Sequence, residues 1–541
     1  MGPEPQRTPG PRRRRFWGWG YEDEGLTRGE RQALAARVAP LVGELPDPVE
    51  PPSPSELDLP RPRLSPPAAL AAWSRSDPVS RAGHTYGKSF RDVVRALERR
   101  FERPPDLVVS PVDEAGVAAV LDWAAGVGAV VVPYGGGSSV VGGVEAPPDD
   151  RRPTVSLDLG GLDAVLEVDR RSRAARIQAG VLGPALEAQL RPHGLSLRHY
   201  PQSFELSSLG GWIATRSAGH FATLHTHVDD FVESIRMLTP SGAWESRRLP
   251  GSGAGPSPDR LVLGSEGILG VVTEAWMRLQ GRPAFRASGV GRFASFEEGA
   301  RCARALGQSG LWPANCRLVD RTEALVTGAG DGTADLLLVA FESSDHPVDA
   351  ALARAAELVG DHGGRMEVRP VTTTPGDPAA GDPAGRWRAT FLRAPYLRDA
   401  LACLGLVNET FESAITWDRF DAFVATVRRV AEEAMRSAGV WPGLVTCRLT
   451  HVYPDGAAPY FTVLGPGRAG GRLGQWAEIK SAGMAAVVDG GGTVTHHHAV
   501  GRDHRPGYDR QRPELFAAAL RAAKAVVDPQ AMLNPGVLVD P

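Results

Sequence analysis

Val132-Pro-Tyr-Gly-Gly-Gly-Ser-Ser-Val140 carries the end of an apolar strand directly into three consecutive glycines and two serines. Because glycine has no Cβ, backbone N–H groups in such a loop can approach an anion closely and adopt a positive φ. A glycine run alone is more often a tight turn, and this one lacks the G-x-G-x-x-G spacing of a dinucleotide-binding helix. Its interpretation therefore depends on the sequence around it.

The residues before this loop predict a β-α-β unit over 106–133. Asp106-Leu-Val-Val-Ser110 indicates a strand, and Ser110-Pro-Val-Asp113 supplies an N-cap, a proline at N1 and an acid for a helix that ends near Gly126. Ala129-Val-Val-Val-Pro133 is all apolar and predicts a buried second strand. The glycine loop is therefore expected at the carboxyl end of a strand.

Two further loops of small residues follow in the chain. They are Pro201-Gln-Ser-Phe-Glu-Leu-Ser-Ser-Leu-Gly-Gly-Trp212 and Gly264-Ser-Glu-Gly-Ile-Leu-Gly270. Both are rich in hydroxyl groups and unhindered amides. Ahead of them, 164–168 and 175–179 alternate like the strands of a hairpin. Three such loops in one domain favour binding of a large cofactor that carries phosphate.

Length, charge and cysteine spacing exclude several classes of protein. A chain of 541 residues is expected to form two to four packed lobes. Its 60 basic and 63 acidic side chains argue against a surface that holds nucleic acid, and its four distant cysteines predict neither disulfides nor a cysteine zinc site. No apolar run is long enough for a transmembrane helix, and no signal peptide follows the basic start, so we expect a cytoplasmic protein.

The composition along the chain predicts an α+β protein in four parts. Residues 1–80 form a basic tail and a proline-rich segment wrapped over a domain, 81–281 a cofactor domain, 282–500 a second, α+β domain that would hold substrate, and 501–541 a C-terminal segment. The stretch Pro370 to Gly385 has the composition of a surface loop. Arg12 to Arg15 with the nearby aromatic residues indicate a solvated tail, with contact to anionic lipid headgroups as a secondary hypothesis.

These motifs resemble the FAD domain of the vanillyl-alcohol oxidase/p-cresol methylhydroxylase superfamily. Further runs resemble its alkyldihydroxyacetonephosphate synthase branch: Phe101-Glu-Arg-Pro-Pro-Asp106, Arg317-Leu-Val-Asp320, Tyr396-Leu-Arg-Asp399, Glu409-Thr-Phe-Glu-Ser413, Thr446-Cys-Arg448 and Thr495-His-His-His498. The resemblance runs from about residue 80 onward. It implies a two-subdomain FAD-binding domain, an α+β cap with an antiparallel sheet, and a tail that returns to the FAD domain.

The resemblance assigns the FAD site to four segments of the chain. They comprise Pro133, Tyr134, Gly135, Gly136, Gly137, Ser138 and Ser139; Pro201, Gln202, Ser203, Phe204, Glu205, Leu206 and Ser207; Thr215, Arg216, Ser217 and Ala218; and Gly264, Ser265, Glu266, Gly267, Ile268, Leu269 and Gly270. Some relatives attach the flavin to a histidine of the glycine loop. This loop contains no histidine, so a non-covalent, dissociable FAD is expected.

The resemblance also assigns catalytic and substrate-binding residues. Tyr460 matches the proton-shuttling tyrosine, His496, His497 and His498 the histidine cluster beside the flavin, Arg317 an arginine needed for activity, and Arg398 and Arg448 substrate-binding positions. The implied reaction exchanges the acyl chain of acyl-dihydroxyacetone phosphate for a fatty alcohol, giving an ether-lipid precursor with no net redox. The implied partners are a lipid substrate, a second copy of the chain in a homodimer, and a membrane surface touched peripherally.

Considered without the resemblance, the same residues allow simpler interpretations. In an extended segment consecutive side chains alternate, so three histidines in a row would not converge on one metal, and no metal site is predicted. An arginine is as often half of a surface ion pair as a phosphate ligand, although its planar fork suits phosphate. A phenol has a pKa of about 10, so acid-base work by Tyr460 would need positive charge nearby to lower it.

A second function remains open from the sequence. An FAD-dependent dehydrogenase or oxidase of a 2-hydroxy acid or related alcohol would use similar FAD loops and could hold a carboxylate with the same arginine, histidine and tyrosine side chains.

Overall fold

The computed structural model describes residues 12–221, 223–369 and 383–540. Residues 370–382 of the expected surface loop, Pro370 to Gly385, lie outside the described residues. None of the described helices is both long enough and apolar enough to cross a lipid bilayer.

The N-terminal part is packed onto the rest of the protein. Phe16 and Trp19 are only 7% and 2% exposed, so the interpretation of Arg12 to Arg15 and the nearby aromatic residues as a solvated tail is wrong. The rings of these two residues are enclosed by protein. The elements that follow are α1 (Arg28–Val42), β1 (Ser74–Arg75), α2 (Pro78–Gly83) and α3 (Phe90–Leu97).

A four-stranded sheet carries the glycine loop. It comprises β1, β2 (Leu107–Val109), β3 (Val130–Tyr134) and β4 (Thr154–Asp158), in the order β1-β2-β4-β3, with α4 (Glu114–Gly126) between β2 and β3. The predicted β-α-β unit is confirmed, because both flanking strands run parallel to β4. Its two strands are not neighbours, however, since β4 lies between them. The expected N-cap at Ser110 is wrong, since the helix begins at Glu114 and the side chain of Asp113 accepts the capping hydrogen bond from the Gly116 N–H. The glycine loop leaves the carboxyl end of β3, as predicted.

A second, five-stranded sheet holds the other two loops. Its order is β5-β6-β10-β8-β9, and β5 and β6 form the predicted antiparallel hairpin. The elements of this part are β5 (Val165–Asp169), β6 (Ala174–Gln178), α5 (Gly183–Leu190), β7 (Leu195–Ser196), α6 (Leu209–Thr215), β8 (Val232–Thr239), β9 (Gly242–Glu245), α7 (Pro258–Val262), β10 (Val271–Arg278) and β11 (Gln280–Gly281).

The third part is an antiparallel sheet of eight strands with helices packed against it. Its order is β15-β12-β14-β13-β18-β19-β16, with β17 paired to β19. The predicted α+β cap is therefore confirmed. Its elements are β12 (Phe285–Phe293), α8 (Phe296–Gln308), β13 (Asn315–Val319), α9 (Arg321–Thr327), β14 (Asp335–Ser343), α10 (Asp349–Asp361), β15 (Arg365–Arg369), α11 (Pro383–Cys403), β16 (Leu406–Glu412), β17 (Ile415–Thr416), α12 (Phe420–Ser437), β18 (Leu444–Val452), β19 (Gly456–Pro466) and α13 (Arg472–Asp489).

The C-terminal part returns to the first two sheets through α14 (Arg505–Gln511) and α15 (Glu514–Val527). The buried ammonium of Lys524 donates to the carbonyl oxygens of Ile268 and Leu533. Asn534 Nδ2 donates to the carbonyl oxygens of Gly143 and Glu266, 3.0 and 2.8 Å away. These bonds join the end of the described chain to the third predicted cofactor loop, at Glu266 and Ile268, and to Gly143, four residues beyond the glycine loop.

Candidate active site

A cleft runs between the two cofactor sheets and the cap, with about 1510 Å³ of empty space including its open mouth. Most of the predicted FAD residues line it. These are Pro133, Tyr134, Gly135, Gly136, Gly137, Ser138, Ser139, Pro201, Gln202, Ser203, Ser207, Thr215, Ser217, Ala218, Ser265, Glu266, Gly267 and Gly270. Three loops that are distant in the sequence therefore form one wall.

The remaining predicted FAD residues lie beside the cleft instead of on its wall. Ile268 and Leu269 belong to the apolar core behind it, and Arg216 pairs with Asp229. Glu205 accepts a hydrogen bond from the Tyr396 hydroxyl, and Leu206 packs against Trp19. Phe204 and Gly264 complete this group. Phe204 lies close to Gly183, and Gly264 lies close to the side chain of Arg216.

The glycine loop fits a pyrophosphate. The backbone N–H groups of Gly135 to Ser139 donate no hydrogen bond to any residue that the structure describes, and all five residues line the cleft. A Cβ added to Gly136 would lie 1.7 Å from the Leu206 carbonyl oxygen, so only glycine allows the first two loops to touch. Consecutive free amides on a closely packed loop form an anion-binding concavity, and these residues would hold the FAD pyrophosphate.

The cap contributes the opposite wall of the cleft. Tyr460 on β19, Arg398 on α11, and His497 and His498 after α13 all line it. Four of the residues predicted for catalysis and substrate binding therefore meet the predicted FAD loops. The other three, which are Arg317, Arg448 and His496, lie behind this wall and do not line the cleft.

The histidine run is not extended, contrary to the sequence expectation. Residues 496–498 form a bend around the carboxylate of Glu412, which is fully buried. The backbone N–H groups of His496, His497 and His498 donate to this carboxylate at 2.5, 3.1 and 3.0 Å, and the Thr495 hydroxyl donates at 2.6 Å. The bend turns His497 and His498 into the cleft together, whereas a strand would point them to opposite sides.

The sequence argument against a metal site also depended on an extended run. In the bend, one ligand atom from each of Glu412, His497 and His498 lies within 4.8 Å of the others, and the same is true of His451, His496 and His497. Both ring nitrogens of His496 already have partners, Tyr453 Oη at 2.7 Å and His497 Nδ1 at 2.9 Å. The absence of a metal remains a prediction.

Comparisons with known proteins agree with this geometry. Residues 105–246 match the FAD binding domain family, and residues 282–538 match the C-terminal domain of the FAD linked oxidases. The alkyldihydroxyacetonephosphate synthase of Dictyostelium discoideum is 29% identical, over 86% of this chain and 78% of that protein. A solved alkyldihydroxyacetonephosphate synthase superposes with a TM-score of 0.81 at 25% identity, covering 97% of this chain and 98% of the other.

The chain is an alkyldihydroxyacetonephosphate synthase-like flavoprotein. It has the fold of the vanillyl-alcohol oxidase/p-cresol methylhydroxylase superfamily. A p-cresol methylhydroxylase structure superposes with a TM-score of 0.68 at 13% identity, covering 95% of this chain and 98% of that one, which shows the fold alone. FAD is the cofactor of the flavoprotein.

Protonation states in the flavoprotein's cleft follow from burial. Burial lowers the pKa of His497 well below its ordinary value and also lowers that of His498, so both imidazoles are neutral at pH 7. Burial raises the pKa of Tyr460, and the Arg448 guanidinium 3.7 Å from the ring centre offsets only part of this rise. The positive charge expected from the sequence is present, but the phenol keeps its proton.

Behind the flavoprotein's cap wall lies a buried charged layer. Register places Arg448 and Glu412 on either side of Tyr460, on β18 and β16. Arg448 pairs with Glu323 of α9. Arg317 is fully buried beside them, and burial with the nearby Arg448 lowers its pKa to about 9. This layer contacts Tyr460 and not the open cleft, which gives Arg317 and Arg448 a supporting position.

Sequence reasoning missed several residues of the flavoprotein's site. Glu412 lies in the quoted run 409–413, but nothing in its spacing predicts contact with a segment 84 residues away. Trp19, Thr410 and Pro395 also line the cleft, and no sequence feature assigned them to the site. Lys88 is also buried beside the Ser139 loop, and burial lowers its pKa to about 8. Its being one of only three lysines was a weak signal.

Replacing Glu412 by glutamine is expected to weaken both activity and stability. The amide lacks the charge and directs an N–H₂ group toward backbone donors, so at least one hydrogen bond to a buried carboxylate is lost, costing roughly 2–4 kcal/mol. Chemical denaturation should show this loss, and turnover should fall roughly tenfold or more because the histidines move. Glu433→Gln, on the exposed face of α12, is the matched control. Equal stability of Glu412→Gln and the parent would refute the role of this carboxylate.

Acid should destabilise the flavoprotein through His199, which lies behind the cofactor loops with Nε2 2.8 Å from Ser217 Oγ. Burial lowers its pKa to about 3. An unfolded histidine titrates near 6.5, so the unfolded state takes up the proton first and stability falls as the pH drops below that value. Between pH 7 and pH 5 this residue alone should cost about 2 kcal/mol. His199→Gln should lose correspondingly less stability over that interval in urea melts, and an identical loss would contradict the assignment.

Proposed function

We propose that the flavoprotein exchanges the acyl chain of acyl-dihydroxyacetone phosphate for a fatty alcohol, without net redox. One observation carries this proposal: Arg398, Tyr460, His497 and His498 share a single cleft with the three FAD loops. A phosphate ligand, a proton donor and two proton acceptors thus face the cofactor site together. The names of the relatives supply the substrate class.

Arg398 is the proposed ligand of the substrate phosphate. Its Nε and Nη2 atoms are buried and have no hydrogen-bond partner among the described residues, while Asp399 lies 3.7 Å from Nη2. A buried guanidinium with open donors is suited to bidentate binding of a phosphate. Lys88 adds positive charge, because its ammonium interacts electrostatically with both Arg398 and Asp399.

Tyr460 and the histidines are the proposed proton carriers. The exchange forms one ether bond, breaks one ester bond, and moves the hydroxyl proton of the alcohol to the departing fatty acid. Neutral His497 or His498 can accept that proton, and the phenol of Tyr460 can donate one. The chemistry that FAD supplies when bound is reversible electron acceptance, returned within the same cycle.

We assign FAD binding to residues 81–281, substrate binding to 282–500, and closure of the FAD site to 501–541. We further propose that the FAD is not covalently bound, because the glycine loop has no histidine. Acid precipitation should then leave the flavin in the supernatant, whereas yellow colour in the pellet would contradict a dissociable cofactor.

The visible spectrum of the flavin-loaded protein tests the reaction. Palmitoyl-dihydroxyacetone phosphate added without oxygen should lower the oxidised flavin band and release palmitate. Hexadecanol should then restore the band and yield the ether product. A dehydrogenase or oxidase of a 2-hydroxy acid would instead be bleached by that acid and restored only by an electron acceptor, which would overturn the transferase proposal.

For partners we propose a homodimer that meets a membrane surface only peripherally, at the cytoplasmic side. The lipid substrate supports membrane contact, because the enzyme must collect an insoluble molecule. Light scattering after gel filtration tests the dimer. Flotation with anionic vesicles of phosphatidylserine and phosphatidylcholine tests the contact, and protein that stays at the bottom of the gradient would refute it.

A further inference from the structure

The N-terminal segment of residues 13–22 forms a tight turn against the mouth of the cleft. The backbone N–H of Arg15 donates to the carbonyl oxygen of Gly20, and Glu22 N–H donates to that of Arg13. The side chain of Arg14 extends from this turn, and its Nη1 donates to the carbonyl oxygen of Gly136 in the glycine loop, 3.0 Å away. The segment is thus attached directly to the cofactor loop.

The turn is also fixed to α11 beside Arg398. The backbone N–H of Trp19 donates to Asp399 Oδ2 at 2.5 Å. The two glycines that flank Trp19 permit this approach, since a Cβ at Gly18 would lie 2.6 Å from the same oxygen, and one at Gly20 2.5 Å from the Tyr396 ring. Gly20 also has a φ of +90°, which favours glycine. These contacts hold Trp19 in a defined place. Its backbone is bonded to Asp399, the residue that follows the proposed phosphate ligand Arg398.

The indole N–H of Trp19 is a hydrogen-bond donor without a partner in the described part of the chain. The residue is buried and lines the cleft, yet its Nε1–H has no acceptor among the residues that the structure describes. A buried tryptophan N–H usually finds a partner, and a buried donor without one costs stability. Arg398, on the same wall, has two further donors without a hydrogen-bond partner in the described part of the chain. Two residues that line one cleft, from separate segments of the chain, thus carry buried donors without a partner in the described part of the chain.

We propose that the Trp19 indole N–H donates a hydrogen bond to a phosphate oxygen of the substrate, beside Arg398. This inference rests on the proposed function, because it requires a phosphate-bearing substrate in the cleft. The N-terminal segment is then a part of the substrate site. The same donor could serve the FAD phosphates, so the test separates the two sources of phosphate.

Trp19→Phe keeps the ring in the wall and removes only the N–H donor. The probe is hexadecyl-dihydroxyacetone phosphate, the ether product, titrated into the FAD-loaded protein and followed by the flavin spectrum. A hydrogen bond to a charged group is worth enough that the variant should bind this probe roughly tenfold to a hundredfold more weakly. FAD content and FAD affinity should stay unchanged. Trp441→Phe, at an exposed tryptophan, is the matched control.

The same ether without its phosphate identifies the bonded group. Trp19→Phe and the parent protein should bind the dephosphorylated probe alike, because the lost donor has no acceptor there. Equal weakening with both probes, or no weakening with either, would overturn the inference, as would a loss confined to FAD affinity. Failure of the parent protein to bind the phosphorylated ether would instead count against the proposed function itself.

Discussion

Gly136→Ala is expected to yield a protein that cannot retain FAD. The new Cβ would lie 1.7 Å from the Leu206 carbonyl oxygen and 2.7 Å from Ser207 Cα, so backbone must move on one side or the other. Both loops form the predicted FAD wall, and displacing either one disturbs the open amides of Gly135 to Ser139. The ratio of flavin absorbance at 450 nm to protein absorbance should fall to near zero in the purified variant, and turnover with it.

The control for this change is Gly126→Ala. Gly126 is the last residue of α4, the helix between β2 and β3, and a Cβ there meets no heavy atom within 4 Å. Alanine at a helical position should stabilise slightly, by roughly 0.5–1 kcal/mol, with FAD content unaltered. A Gly136→Ala protein that purifies with a full complement of FAD would show that the two loops do not need this contact.

Tyr460→Phe is expected to remove most activity while FAD stays bound. The phenol lies on the cleft wall between Arg448 and Glu412, and its raised pKa means that it carries the proton at neutral pH. Loss of a positioned general acid typically costs 10²–10⁴ in rate, or roughly 3–5 kcal/mol of barrier. Single-turnover formation of the ether product is the measurement, since it excludes product release.

The spectrum and the melting curve of Tyr460→Phe should match those of the parent, because the ring continues to pack beneath the Arg448 guanidinium. Tyr508→Phe on α14, away from the cleft wall, is the matched control. Ether formation within about threefold of the parent in Tyr460→Phe would assign the proton to another group, and His498 would be examined next.

Much of the cofactor side could be predicted from sequence, because its determinants are local. A β-α-β unit, a hairpin and glycine-rich loops depend on residues within about 30 positions of one another, and their spacing is visible in the chain. The insertion of β4 between β2 and β3 was not predictable in this way. It depends on which strand edge is buried by later parts of the chain, and no local pattern records that choice.

The conformation of the cap residues in the cleft could not be predicted from local sequence. The histidine run could be found, but its conformation could not, because Glu412 imposes the bend from 84 residues away. Apolar flanks suggest a strand only when the backbone has no stronger partner, and a buried carboxylate offers four hydrogen bonds to this segment. The burial of Trp19 could not be predicted for the same reason, since its partners Asp399 and Tyr396 lie more than 370 positions away.

The hydrogen bonds of Asn534 bear on the timing of cofactor capture during synthesis. The amide joins Gly143 and Glu266, which are 391 and 268 residues earlier in the chain. These two segments of the cleft wall can therefore be joined by this amide only after residue 534 has been synthesised, although each subdomain can fold earlier. A chain truncated before that residue should therefore gain FAD poorly.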